Sequence, residues 1–356
     1  MAAEGPRTGI PMAATEKLVE KYRRLCELLR GRPSMLIVMQ DNPDPDAIAA
    51  AVALREVANK AAGVSCSLAH GGTIGRGENR ALVEYLNLSL RPLTQIDPGG
   101  FAVLAMVDTQ PGSGNNSLPE GIAPHVVIDH HTQRNATRSV RFTDVRSRYG
   151  ATSTILYEYL QAGSIPIEAP LATALLYGIR SDTQDFGREA TKADMQAIDE
   201  LYPLANKRML GQIQRGRVPG SYYQLLAVAL SNAKLHPPAV VTDLGDLDNP
   251  DMVGEVADLL LRHEAADWSM CYGFYAGKAL LSIRSLPRAK SAEEVVRSVV
   301  SRIGTGGGHA NSAGGQVPLK RDSAERRRQI GEKLRGRFLR ALGADRREGA
   351  GHGDRG

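Results

Sequence analysis

Short apolar runs that end in acidic or histidine-bearing turns, each followed by a helical period, set the plan of the N-terminal half. In residues 14–30, Leu18, Tyr22, Leu25 and Leu29 recur at helical spacing. The run Met35-Leu36-Ile37-Val38-Met39 then predicts a strand, a Pro- and Asp-rich turn follows, and residues 46–61 read as a helix. The pattern recurs with strands at 65–70, 101–107 and 125–128, and helices at 78–86, 150–162, 168–180 and 191–201. Repeated strand, loop and helix predict an α/β fold with a mostly parallel sheet flanked by helices. In such sheets ligands bind beyond the carboxyl ends of the strands, so the polar residues there are expected to converge.

Gly211, Gly216, Pro219 and Gly220 interrupt the pattern and suggest a connector at 205–225. A smaller α/β domain is expected after it, with a strand in 237–245, a helix over 253–263 and a strand pair, 268–277 and 278–285, joined near Gly277. A helix around 292–302, a glycine-rich loop and a last helix with Ile330, Leu334, Phe338 and Leu342 on one face complete it. The expected division is a flexible N-terminus 1–15, a first domain 16–204, the linker 205–225, a second domain 226–343 and a disordered basic tail 344–356.

With 356 residues and 42% hydrophobic content the chain can bury two cores. It has no uninterrupted apolar run long enough to span a membrane, and its first residues lack the apolar segment of a secretory signal, so a soluble, cytoplasmic protein is expected. Cys26, Cys66 and Cys271 are odd in number and widely spaced, which predicts ordinary buried thiols. The formal charge is +5, but residues 320–356 carry twelve basic and six acidic side chains. The remainder is therefore close to neutral, and no basic groove for long nucleic acid is expected in it.

Five segments carry candidate chemistry. Gln40-Asp41-Asn42-Pro43-Asp44-Pro45-Asp46 reads either as a helix start, with Asp44 as N-cap and Pro45 in the first turn, or as two carboxylates fixed by prolines to hold a hard divalent cation. Asp108 follows an apolar strand and opens a Gly-rich turn. Asp129-His130-His131 places two imidazoles and a carboxylate at the end of a buried strand, where ligands or acids are wanted. Asp182 and Asp185 lie at the end of a helix. The segment 304–315 is glycine-rich, with His309 leading into an expected helix, and exposed backbone N–H groups there suit a phosphate. Tyr272, Phe274 and Tyr275 are either base-stacking or core residues.

In this order the five segments resemble the DHH phosphoesterase family over roughly residues 20–340, with a DHH domain followed by a smaller associated domain ending in a GGGH loop. Within the family the chain is similar to two-domain RecJ-like enzymes that degrade very short oligonucleotides and remove the 3′-phosphate of pAp. The resemblance implies two Mn²⁺ or Mg²⁺ ions and a two-metal hydrolysis. Asp44 and Asp108 would hold the first ion, and Asp46, Asp108, His130 and Asp182 the second, with Asp108 bridging. His131 would lie beside the scissile phosphate; it joins Asp108 and His130 as the catalytic set. Gly306, Gly307, Gly308, His309 and Arg284 would bind substrate across an active-site cleft between the domains.

One position departs from the family pattern: Gln40 stands where a first-metal histidine is usual, and an amide oxygen is a poorer ligand than imidazole. The first site is therefore expected to be weakened with activity retained. The expected substrates are short oligonucleotides, linear dinucleotides such as pGpG or pApA, or pAp, and a homodimer is compatible with the sequence. The alternatives are a manganese inorganic pyrophosphatase-like enzyme, or a nucleotide-binding sensor that has lost the first metal.

Overall fold

The computed structural model describes residues 12–187, 190–286, 290–308 and 310–343. The expected flexible N-terminus lies largely, and the basic tail wholly, outside the described residues. The chain divides into two compact units between Arg217 and Val218. Residues 205–225, read as a connector, hold a helix and the start of another, so the break is shorter than the Gly and Pro positions suggested.

In the first unit, α1 (Met12–Leu29) leads into β1 (Ser34–Val38), α2 (Pro45–Ala62), β2 (Ser65–His70), α3 (Gly77–Tyr85) and β3 (Leu90–Pro92). After β4 (Val103–Val107), β5 (Val126–Asp129) and β6 (Phe142–Val145) come α4 (Thr152–Ala162), α5 (Ala169–Asp182), α6 (Lys192–Leu201) and α7 (Lys207–Gln214). The strands form one parallel sheet in the order β3-β2-β1-β4-β5-β6. Strand order reverses at the junction of β1 and β4, the kind of switch point where open α/β sheets bind ligands.

Alternation along the strands sorts the core. Met35, Ile37, Val103, Ala105, Val107, Val126 and Ile128 face a single helical layer. Leu36, Val38, Leu104, Met106 and Val127 face the other way, against Leu93, Ile96, Phe101, Ile122 and Val140 from connections without helical period. Helix α2 is buried along Ala47–Leu54 because five of those eight residues are alanine, which lets α4 and α5 approach closely. The short edge strands β3 and β6 carry too few apolar residues to be read from the pattern.

The second unit runs α8 (Gly220–Asn232), β7 (Lys234–His236), β8 (Ala239–Asp246), α9 (Met252–Leu260), β9 (Trp268–Tyr275), β10 (Lys278–Ser285), α10 (Ala292–Val300), β11 (Thr305–Gly308), β12 (Ser312–Pro318) and α11 (Ala324–Leu342). Its mixed sheet has the order β11-β12-β10-β9-β8-β7, with α10 and α11 on one face and α8 and α9 on the other. Tyr272 and Phe274 are buried in the α10–α11 core, which favours packing over base stacking for both.

The glycine-rich segment is corrected by the structure: β11 and β12 pair as an antiparallel hairpin at the sheet edge, so the residues expected to open a helix form strand β12 instead. Most of its glycines answer a packing need. A Cβ at Gly306 would lie 3.2 Å from both Val296 and Val300, and one at Gly315 3.0 Å from Leu281. At Gly307 a Cβ would meet nothing within 4 Å.

Candidate metal and catalytic site

The prolines around Asp44 direct two carboxylates in different ways. Asp44 is the N-cap of α2, its Oδ1 accepting from the Ala47 N–H at 2.9 Å, so the helix-start reading of this segment holds. The cap uses one oxygen and leaves Oδ2 turned to Gln40 Nε2 at 3.0 Å. Asp46, inside the first turn of α2, receives the N–H groups of Thr152 at 2.7 Å and Ser153 at 2.8 Å, and so caps α4 from a neighbouring element.

Asp108 ends β4 in the left-handed region, φ +56°. Aspartate tolerates this conformation better than most residues, and it reverses the chain directly after the strand. Its Oδ1 accepts from Thr152 Oγ1 at 2.9 Å, and its Oδ2 lies 3.3 Å from Gln40 Nε2. Thr152 thus ties Asp46 and Asp108 to the same helix start.

His130 follows β5 and places Nδ1 3.1 Å from the Tyr149 carbonyl, which can only accept. That contact fixes the proton on Nδ1 and turns Nε2 toward Asp182 Oδ2 at 3.0 Å and Asp108 Oδ1 at 3.6 Å. Asp182 reaches this point from the last turn of α5, whereas Asp185 pairs with Arg180 at 2.6 Å. Helix α5 gets close because of Gly178, one turn earlier: a Cβ there would sit 2.7 Å from Ser153 Oγ and 3.1 Å from Asp46 Cα.

Asp129 is occupied by hydrogen bonds to its neighbours. It accepts from His131 Nδ1 at 2.8 Å, from the His131 N–H at 3.1 Å and from Gln110 Nε2 at 2.7 Å. Gln110 is held in turn by the Arg134 N–H and Thr137 Oγ1, both at 2.8 Å. Asp129 therefore orients His131.

Asp46, Asp108 and Asp129 are each 1% exposed, so their ionisation depends on what surrounds them. Burial, together with neighbouring acids, pushes Asp44 up, Asp46 up to about 7 and Asp108 well above the usual carboxylate range. Burial works against charge on His130, but Asp182, Asp108 and Asp46 outweigh it and hold the imidazolium well above its ordinary value. Asp129 is also opposed by burial, yet the His131 hydrogen bond and charge bring it below the usual range. Crowded buried carboxylates that resist ionisation are the environment a divalent cation reverses.

Asp46, His130 and Asp182 bring ligand atoms within 4.8 Å of one another, as do Asp108, His130 and His131. Carboxylate oxygens with an imidazole nitrogen fit Mn²⁺ or Mg²⁺. Asp44 and Asp108 also meet, but Gln40 turns an amide nitrogen toward them, and its oxygen accepts from Asn115 Nδ2 at 3.1 Å. The coordinating amide oxygen expected from the sequence is therefore not what this arrangement presents.

In the second unit, Arg284 donates to Asp258 at 2.5 Å and Ser282 at 2.6 Å. Gly306, Gly307 and Gly308 lie on the edge strand β11, and His309 lies outside the described residues. Thr152, Ser153, Gln110, Asn115 and Gly178 were not singled out in the sequence. Their only signals there are a Thr/Ser helix start, polar loop residues and a glycine within a helix.

A parallel sheet whose switch point gathers carboxylates and an imidazole defines a metal-dependent hydrolase. Residues 34–179 match the DHH family, N-terminal domain. The chain is 32% identical over 342 residues to the uncharacterized protein MJ1633 of Methanocaldococcus jannaschii, covering 93% of this chain and 70% of that protein. It is 25% identical over 166 residues to a probable manganese-dependent inorganic pyrophosphatase of Staphylococcus saprophyticus, covering 46% of this chain and 53% of that one. Among solved structures, an exopolyphosphatase-related protein from Bacteroides fragilis shares the fold, with a TM-score of 0.69 at 14% identity, covering 95% of this chain and 99% of that chain. The chain belongs to the DHH family of phosphoesterases, hydrolases of phosphoric esters.

Proposed function

We propose that the protein hydrolyses short nucleotide phosphoesters with Mn²⁺ or Mg²⁺: oligonucleotides of a few units, linear dinucleotides such as pGpG or pApA, or the 3′-phosphate of pAp. The observation that carries the reading is the meeting of Asp46, Asp108, His130 and Asp182 at one switch point, from four separate segments. When bound, the ion supplies Lewis acidity, drawing charge from phosphate oxygens and acidifying a nearby water. The chain's part is to hold the donors rigidly. Thr152 and Ser153 lock Asp46, the Tyr149 carbonyl sets the His130 tautomer, and Asp129 aims His131. With Nδ1 committed to Asp129, His131 meets the scissile phosphate through Nε2 and stabilises developing charge.

The small-substrate assignment follows from charge. Outside residues 320–356 the sequence is nearly neutral, and basic residues of α11 are engaged in ion pairs, Arg327 with Asp322 and Asp246, and Arg328 with Glu325 and Glu332. A track for long single strands needs an extended basic groove. In the second unit we assign phosphate contact to Gly307, where an added Cβ would meet nothing within 4 Å, and to Arg284, which would exchange its pairing with Asp258 for the phosphate. No helix among the described residues is long and apolar enough to cross a membrane. We place the reaction in the cytoplasm, a reading supported by three free cysteines.

The test is turnover of purified protein with Mn²⁺ on pAp, pApA, pGpG, short RNA and pyrophosphate. Release of mononucleotide or phosphate from the nucleotide substrates is expected. Dominant pyrophosphate cleavage would support the pyrophosphatase-like alternative. Saturable nucleotide binding without turnover at any Mn²⁺ concentration would support the sensor.

A further inference from the structure

The amide of Gln40 lies where the family's first metal ligand is expected, and its orientation is set by a chain of hydrogen bonds that begins on the backbone. In the loop after β4, Asn116 Nδ2 donates to the Gln110 carbonyl at 3.0 Å, and Asn116 Oδ1 accepts from the Leu118 N–H at 3.4 Å. Neither backbone group can exchange roles, so the Asn116 amide has one orientation. The remaining Nδ2 proton is shared between Thr109 Oγ1 and Ser113 Oγ, both at 3.0 Å, and the two hydroxyls are themselves 3.1 Å apart. Both hydroxyls lie against Asn115 Oδ1 as donors: Thr109 at 2.7 Å, and Ser113 in a short contact.

Asn115 is thereby left to face Gln40 with Nδ2, and its contact to Gln40 Oε1 is 3.1 Å. Gln40 must then present Nε2 to Asp44 Oδ2 at 3.0 Å and Asp108 Oδ2 at 3.3 Å. Asp41 N–H donating to the Asn115 carbonyl at 2.7 Å holds the two segments in register. A flipped Gln40 would set its NH₂ against the Asn115 NH₂, leaving two donors without an acceptor.

We propose that this chain binds a single metal ion, at Asp46, Asp108, His130 and Asp182, and that the Gln40 amide, locked by Asn115, replaces the first ion by bridging Asp44 and Asp108 as a donor. An N–H donor and a cation compete for the same carboxylate lone pairs, and an amide nitrogen has none to offer a metal. Asp44 thus keeps two roles, helix cap and acceptor for Gln40. The inference rests on the metal-binding reading above and specifies its stoichiometry.

The test loads the full chain with Mn²⁺, removes excess by desalting, and measures bound metal by elemental analysis together with the electron paramagnetic resonance spectrum. Wild type is expected to hold one ion per chain with the hyperfine pattern of an isolated Mn²⁺. Gln40→His, which supplies an imidazole, is expected to hold two ions with an exchange-coupled spectrum. Asn115→Asp, which supplies an acceptor and so lets Gln40 turn its oxygen inward, is expected to raise the stoichiometry toward two without touching Gln40. Two coupled ions in the wild type would overturn the proposal, as would one ion in both variants. No bound ion in any of the proteins would remove the metal-binding reading itself.

Discussion

At the scale of single residues the site is held together by groups that touch no substrate. Thr152 serves two carboxylates, Asp46 through its N–H and Asp108 through its hydroxyl. Thr152→Val keeps the first bond and deletes the second. The expected result is Mn²⁺ affinity lowered by roughly 10–100-fold by calorimetry, the usual scale for losing a partner that orients a ligand. Protonation gives a second test. Asp46 is raised to about 7 in the fold and His130 is raised well above its ordinary value. Stability from either group is complete below its ordinary pKa and is lost as pH rises through the folded value. Asp129, held below its ordinary value, loses its contribution only in acid. From about pH 5 to about pH 8 the metal-free protein should therefore lose thermal stability. Saturating Mn²⁺, which displaces those protons, should raise the melting temperature by an increment that grows over the same range. An increment independent of pH would count against a shared metal and proton site.

Elements explain which parts could be read in advance. Strands β1, β4 and β5 are built on unbroken apolar runs and helices α2 and α5 are long and sharply bounded, and the donors Asp46, Asp108, His130 and Asp182 sit at or just beyond their ends. Short edge strands, and helices within a Gly- and Pro-interrupted stretch, lack such a period and were not legible. The glycine hairpin misled because glycine marks a loop as readily as a close approach; only the valines of α10 show which applies. Gly178 is the same ambiguity inside a helix. Gly178→Ala forces a methyl against Ser153 Oγ and the Asp46 backbone, and is expected to destabilise the protein by about 1–3 kcal/mol. Mn²⁺ affinity should fall with it, because α2 and α5 separate where Asp46 and Asp182 must meet. Equilibrium unfolding and calorimetry on the same variant check both.

For the whole molecule, charge distribution decides more than total charge. The excess of positive residues lies in 320–356 and the rest is nearly balanced, so substrate capture should depend weakly on counterion release. Turnover of pApA is expected to change by less than about twofold between roughly 50 and 200 mM salt, where a protein making many phosphate contacts loses about a thousandfold in affinity. A steep salt dependence in initial rates would point to a long nucleic-acid track instead. The motif order identified the family from the sequence, whereas the amide orientation at Gln40 depends on four side chains from one folded loop and could only be seen in three dimensions. The most direct measurement of the central claim is anomalous scattering at the manganese edge from crystals grown with Mn²⁺. The account predicts a peak within bonding distance of Asp46, Asp108, His130 and Asp182; a manganese peak bonded to none of these four residues would contradict it.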